Sequence, residues 1–294
     1  IGMKQVAKLV SRNLAVFFRD RLGVAMSLLS PAILFLLYAL FLGNQQSEAL
    51  MERFPEASAE VVGDFVNAWV FSGIIMMTTV TTGLQAMNTF VGDRVNNRFK
   101  DFLIAPVSRI QLVAGYLIAA LVVAFAVSVS VFAVGQTYLF LTGQSSLTLE
   151  EIGTSIAFIA LSCFSFAALT AFLTTFITSN SGFSALATVV GTVVGFLAGA
   201  YVPMGVLPDS VASVISALPF AFSAMLLRGP LTAGVLETLT AGSTQAAEAL
   251  REFYGITLTV GSYSPSTVVA VVAMIATAVF FLFASALFLR RRIS

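Results

Sequence analysis

The sequence predicts an all-α membrane protein in one domain, residues 1–294: six transmembrane helices, an amphipathic interfacial helix ahead of them, a cytoplasmic surface helix after the second span, and re-entrant outer helices between spans five and six. Three observations carry this. The chain of 294 residues is 58% hydrophobic and only 10% charged, where a soluble domain carries about a quarter charged residues, and its mean hydropathy is +0.97. The runs near 24–43, 67–90, 112–141, 153–177, 183–202 and 266–289 hold no Lys, Arg, Asp or Glu. Each has about the 20 residues needed to cross the hydrocarbon as a helix.

The third observation is the placement of charge. Lys4, Lys8, Arg12, Arg19 and Arg21 precede the first run, Arg94, Arg98, Lys100 and Arg109 follow the second, and Arg290, Arg291 and Arg292 follow the sixth. Six crossings put these twelve of the fifteen basic residues on one side, which the positive-inside rule makes cytoplasmic together with both termini. The other side keeps Arg53, Arg228 and Arg251 beside acids such as Glu48, Glu52, Glu56, Glu60, Asp64, Glu150 and Glu151. A cleaved signal peptide does not fit the first run, which has a long charged leader and no A-x-A-like site after it.

Residues 3–22 predict the interfacial helix. At about 100° per residue Met3, Val6, Val10, Leu14 and Phe17 fall on one stripe, with Leu9 beside it, while Lys4, Lys8, Arg12 and Arg19 lie opposite. Asn13 and Asp20 interrupt the stripe, so the helix is expected to rest partly on protein. The stretch 44–66 reads as an acidic outer loop and TSNSG at 178–182 as a tight cytoplasmic turn. Region 203–264 is divided. Its first half has prolines at 203, 208, 219 and 230 and is too apolar for a loop yet too broken for a span, so it is expected to dip into the outer leaflet. Its second half, with Glu237, Glu248, Arg251 and Glu252, is expected outside.

Several chemistries are excluded. There is no histidine, hence no histidine-based triad, zinc–histidine site or imidazole relay. The lone Cys163 permits no disulfide within the chain and reads as a small buried apolar residue. No G-x-x-x-x-G-K-[ST] phosphate loop is present, so neither catalytic residues nor metal ligands are expected, and the chain does not hydrolyse ATP by itself. With no ionisable group in the six runs, an ion-coupled carrier lacks its usual carboxylate or histidine. Three readings stay open: a pump powered by a partner, a passive channel or secondary carrier, and a non-transporting scaffold or immunity protein.

The stretch between spans two and three is the most informative. As a helix over 92–105, Val91, Val95, Phe99, Phe102 and Leu103 share one face and Pro106 ends it; Arg94, Asn96, Asn97, Arg98, Lys100 and Asp101 take the others, and Ile104 points away from the apolar stripe. The segment fits two descriptions: a juxtamembrane helix obeying the charge rule, or a rigid element that docks in a groove of a soluble partner. The run R-F-K-D-F-L-I-A-P-V-S-R, Arg98 to Arg109, resembles the first cytoplasmic loop of type-2 ABC exporter permeases, and GFLAGAYVPMGVLPDSVASVISALPF, 195–220, resembles the end of that family's fifth span and its re-entrant helices.

The resemblance implies a permease subunit in a prokaryotic cytoplasmic membrane. It works as two permease chains, identical or different, with two copies of a separate ABC ATPase that holds ATP and Mg; no cofactor is expected in this chain and no nucleic acid is a partner. It makes 92–105 the coupling helix, with Asp93, Arg94, Arg98, Phe99, Lys100, Asp101, Phe102 and Ile104 as the ATPase-coupling residues. A glutamate commonly opens this loop in the family, and Asp93 stands nearest that place. The resemblance also assigns the substrate path to spans two and five, here Phe71, Ile75, Thr78, Thr79, Thr82, Gln85 and Phe196. Gly191, Gly195 and Gly199 at four-residue spacing predict close helix packing, and hydroxyls bonded to their own helix are the plainer account of any one threonine. A path without charge suits a hydrophobic or amphipathic cargo such as a drug, lipid or peptide.

Overall fold

The computed structural model describes residues 2–99, 108–141, 143, 147–261 and 263–292, with side chains left aside at 2, 109 and 289–292. In chain order the helices are α1 (Gly2–Arg19), α2 (Arg21–Ser27), α3 (Leu29–Leu37), a π turn (Tyr38–Leu42), α4 (Gly43–Arg53), α5 (Ala59–Ala86), α6 (Asn88–Val95), α7 (Arg109–Leu141), α8 (Leu149–Thr174), α9 (Asn180–Leu197), a 3₁₀ turn (Met204–Val206), α10 (Asp209–Ser216), α11 (Pro219–Leu239), α12 (Thr244–Phe253) and α13 (Thr267–Arg292). Among the described residues no strand forms; Val260 and Tyr263 make one isolated bridge.

The starts of these helices are written locally. Asp20, Ser58, Ser179 and Ser243 each accept a bond from a backbone N–H in the first turn of α2, α5, α9 and α12. Thr148 and Glu151 form a reciprocal capping box at the start of α8. Asp20, which breaks the predicted 3–22 helix, therefore does so as a cap. The stretch read as an outer loop is largely helical, because NQQSEALMER consists of good helix formers, and only 54–58 separates α4 from α5.

α5 is the axis of the bundle. Most of its residues are buried, and α3, α4, α7, α8, α9 and α11 all pack on it. A kink at Met87 leads into α6, so one nearly continuous rod runs from Ala59 to Val95. α1 lies on α7, where Gly115 leaves room for Leu9: a Cβ on Gly115 would stand 2.7 Å from that of Leu9. Leu9, Asn13 and Phe17 are its buried positions, so it does rest on protein.

Seven helices among the described residues are long and apolar enough to cross a membrane: Leu29–Arg53, Ala59–Val95, Ile110–Leu141, Leu149–Thr174, Asn180–Leu197, Pro219–Leu239 and Thr267–Phe288. This departs from the sequence reading, which counted six. The additional one, α11, is unbroken despite two prolines. Pro219 sits at the first helical position, where its missing N–H is no loss, and Pro230 is carried within the helix. α11 runs antiparallel to α8 and covers only part of it. Phe220 stacks on Phe166 at 5.3 Å, and Ser223 and Ser162 share a hydrogen bond of 2.7 Å. Leu231, Gly234 and Val235 meet Thr148–Ile152 around a cavity at the start of α8. From Phe166 to Thr174, about 12 Å at 1.5 Å per residue, α8 continues past the beginning of α11.

Candidate coupling site and membrane cleft

At the basic end, three parts of the chain meet on one carboxylate. Asp93, in the last turn of α6, is 2% exposed. It accepts from both terminal nitrogens of Arg12 on α1, with Nη2 at 2.9 Å, from Tyr116 Oη on α7 at 2.6 Å, and from Arg98 Nη1 at 3.3 Å. Two carboxylate oxygens offer about four lone pairs, so the acceptor set is filled. The Arg12 side chain is 30% exposed and donates also to Asn13 Oδ1 at 2.9 Å. Its hydrogen bond to Asp93 holds the guanidinium above its ordinary pKa. Arg94 turns inward and donates to the carbonyls of Thr175 and Ile177, at 2.9 and 3.3 Å. It thereby closes the carboxyl-terminal end of α8.

The expected single helix over 92–105 is not what forms. α6 stops at Val95, and Asn97 takes a left-handed conformation at φ 57°, which asparagine tolerates better than most residues. The helix is broken by this Asn-Asn step, and Phe99 packs on the cluster, with Phe90 at 5.3 Å and Tyr116 at 6.1 Å. Of the predicted coupling residues, Asp93 and Arg94 point into the protein, Phe99 is half-buried, and the Arg98 side chain is 57% exposed. Lys100, Asp101, Phe102 and Ile104 lie outside the described residues.

The residues assigned to a substrate path fall in two places. Phe71, Ile75, Thr78, Thr79 and Thr82 are buried within α5's packing. Phe71 lies against Phe35 and Tyr138, and the Thr78, Thr79 and Thr82 hydroxyls donate to Ile74, Met76 and Thr78 carbonyls at 2.6–2.7 Å. Gln85 instead borders a cleft of about 630 Å³ between α2–α3 and α9. Its walls are apolar at Met26, Leu29, Ile33 and Phe183 and polar at Gln85, Asn88, Asn180, Ser184, Thr188 and Thr192, and among the described residues no charged side chain lines it. Phe196, 54% exposed, continues the Ser184–Thr188–Thr192 row by one further turn.

That hydroxyl row escaped the sequence reading although its four-residue spacing was visible. Each hydroxyl donates to the carbonyl four residues earlier, at 2.9–3.1 Å, leaving its lone pairs toward the cleft. The glycine row has distinct partners. A Cβ on Gly191 would stand 2.6 Å from Ser30 Oγ of α3, and one on Gly195 2.2 Å from the Tyr201 ring; Gly199, at φ 60°, turns the chain out of α9. Close helix–helix packing thus applies to Gly191, while Gly195 and Gly199 accommodate the turn that follows.

Sequence reasoning also missed Arg228. The charge pattern places this residue on the outer side with Arg53 and Arg251 but does not foresee its burial: it lies on α11, 1% exposed. Its surroundings are at the acidic end, beside Trp69, far from the cleft along α5. Compared with models of protein families, residues 4–231 match that of the ABC-2 type transporter. No curated protein matches the chain significantly.

Proposed function

The chain belongs to the ABC-2 type transporter family, and on that premise we propose that it is the membrane half of an exporter whose motor is a separate ATPase. It is a multi-pass permease subunit. The chain carries no phosphate-binding loop and its six apolar runs no ionisable group, which favours a force that enters through a contact. The basic end supplies one: Arg98, Asn96 and Asn97 are exposed directly beside a carboxylate that ties α1, α6 and α7 together. A push there acts on α5 through α6, and α5 touches most of the bundle.

In this reading two ATPase copies, holding ATP and Mg, engage two permease chains in the cytoplasmic membrane of a prokaryote. The termini are cytoplasmic and six helices cross, with α10 descending and α11 returning as re-entrant elements. That α11 begins beside Ser162 and Phe166, part-way along α8, supports this. The observation that carries the choice of cargo is the uncharged cleft. Lined by apolar side chains together with amides and hydroxyls, it suits a hydrophobic or amphipathic molecule and offers a polyanion no cationic side chain among the described residues.

Co-purification from native membrane followed by reconstitution tests this. Phe99→Asp puts a carboxylate against Phe90 and Tyr116 and near Asp93. ATPase co-purification and cargo-stimulated ATP hydrolysis are expected to fall at least about tenfold, while helical content by circular dichroism is retained. Full hydrolysis and export by this variant, or preferential export of a highly charged molecule by the wild type, would overturn the reading.

A further inference from the structure

Arg228 is a buried cation, 1% exposed, with no carboxylate on it among the described residues. Its Nη2 donates to the carbonyls of Ala198 and Gly199 at 3.1 and 2.8 Å, and its Nη1 to the carbonyl of Gly255 at 3.2 Å. The guanidinium carbon lies 5.2 Å from the centre of the Trp69 ring, and Nε has no partner among the described residues. The three acceptors share an origin. Ala198 and Gly199 close α9, and Gly255 closes α12; both glycines are left-handed, at φ 60° and 65°. The carboxyl-terminal ends of helices carry partial negative charge, so two helix ends and an indole face stand in for an anion.

The site is built for this. A Cβ on Gly255 would stand 2.7 Å from Arg228 Nη1, so glycine is required by the approach as well as by the turn. Trp69 Nε1 donates to the Tyr254 carbonyl at 2.8 Å, and its ring meets Tyr38 and Tyr254 edge-on at 5.6 and 5.3 Å. Tyr38 Oη in turn donates to the Tyr201 carbonyl at 3.1 Å. Arg228 thus ties the end of α9 to α11 and Tyr38 ties the chain leaving α9 to the π turn, while Trp69, Tyr254 and Gly255 brace these two holds from α5 and the segment after α12.

We propose that Arg228 is the latch of the extracytoplasmic gate: it positions the end of α9 against α11 and Trp69 in the closed state, and outward opening must detach it. The inference rests on the transporter reading, in which α9 walls the path. Separation of α9 from α11 would strip Arg228 of two of its three carbonyls and leave the charge to the Gly255 carbonyl and the Trp69 ring, a penalty that an apolar interior makes steep. The latch therefore favours the closed state until the motor acts.

The test is thiol accessibility in the full chain without ATPase or cargo, using Thr232→Cys, one turn beyond Arg228, in a Cys163→Ala background, with a membrane-impermeant maleimide outside sealed vesicles. Labelling is expected to be negligible with Arg228 present, about tenfold faster with Arg228→Met, and intermediate with Arg228→Lys, which keeps the charge but cannot fork between two helix ends. Thermal melting in detergent must stay cooperative. Unchanged labelling in a folded Arg228→Met protein overturns the latch, as does equal labelling by Lys and Met variants. Should Arg228→Met fail to fold, Trp69→Phe, which loses the indole N–H and weakens the ring's hold on the cation, must raise labelling several-fold; wild-type labelling there overturns it too. Because no transport is measured, a failed latch leaves the exporter reading standing, and failed export leaves the latch result interpretable.

Discussion

Asp93 and Arg228 are both charges removed from water, one near each end of the same rod, and they are compensated in opposite ways. Trp69 and Asp93 are 24 residues apart on α5–α6, about 36 Å at most. Asp93 is matched by ions, two arginines from different segments, one of them mostly exposed. Arg228 is matched by neutral dipoles and a ring, all inside the protein. The first arrangement has a solvent-facing member that a soluble protein can grasp and rearrange. The second has none, so it can change only if whole helices move. The difference suits a molecule pushed at one end and opened at the other.

The largest expected effect breaks the inner node outright. Asp93→Leu removes the acceptor that Arg12, Arg98 and Tyr116 share and should cost about 3 kcal/mol, read as a lower thermal midpoint of the purified chain. Arg12→Leu should cost roughly half as much, about 1–2 kcal/mol, since Tyr116 and Arg98 still serve Asp93. Equal losses would mean that Asp93 does not act as a shared acceptor. A smaller effect comes from displacing the helix that carries Arg12. Gly115→Ala forces a methyl against Leu9 and should cost about 1–2 kcal/mol, together with faster amide exchange confined to α1. The smallest comes from between the nodes. Thr82→Val removes a hydroxyl bonded only to its own helix, at about 0.5–1 kcal/mol, with export unchanged; a tenfold loss of export in a stable Thr82→Val protein would bring α5's threonines back into the path.

How much of this could be read beforehand varies with the physics involved. The apolar runs located the long helices because a twenty-residue stretch without charge has few other homes. The amphipathic stripe located α1, and Asn13, which spoiled the stripe, marked where it meets protein. Asp93 was singled out, but its partners come from Arg12 and Tyr116, on elements distant in sequence, and no spacing rule joins them. Asn96-Asn97 was a visible turn signal that the apolar period of Val91, Val95 and Phe99 outweighed. Arg228 was misjudged for a different reason: its acceptors are backbone carbonyls, which every residue has and no sequence displays. The threonines of α5 showed polarity without direction, and only their short bonds to their own helix reveal where the hydroxyls are spent.

The π turn at Tyr38–Leu42 has a consequence for the first long helix. In an uninterrupted α-helix Leu34 and Leu50, sixteen positions apart, would project about 160° from one another, nearly back to back. One inserted residue winds this back to about 60°. Both side chains then reach the same core, at 0% and 2% exposure, and Gly43, whose Cβ would stand 2.6 Å from the Tyr38 carbonyl, lets the wider coil close. Excising a single residue here, Ala39 for instance, would turn the wide coil into an ordinary one and keep that angle, whereas straightening the turn with every residue in place would swing α4 off its neighbour, a phase error in an otherwise intact rod.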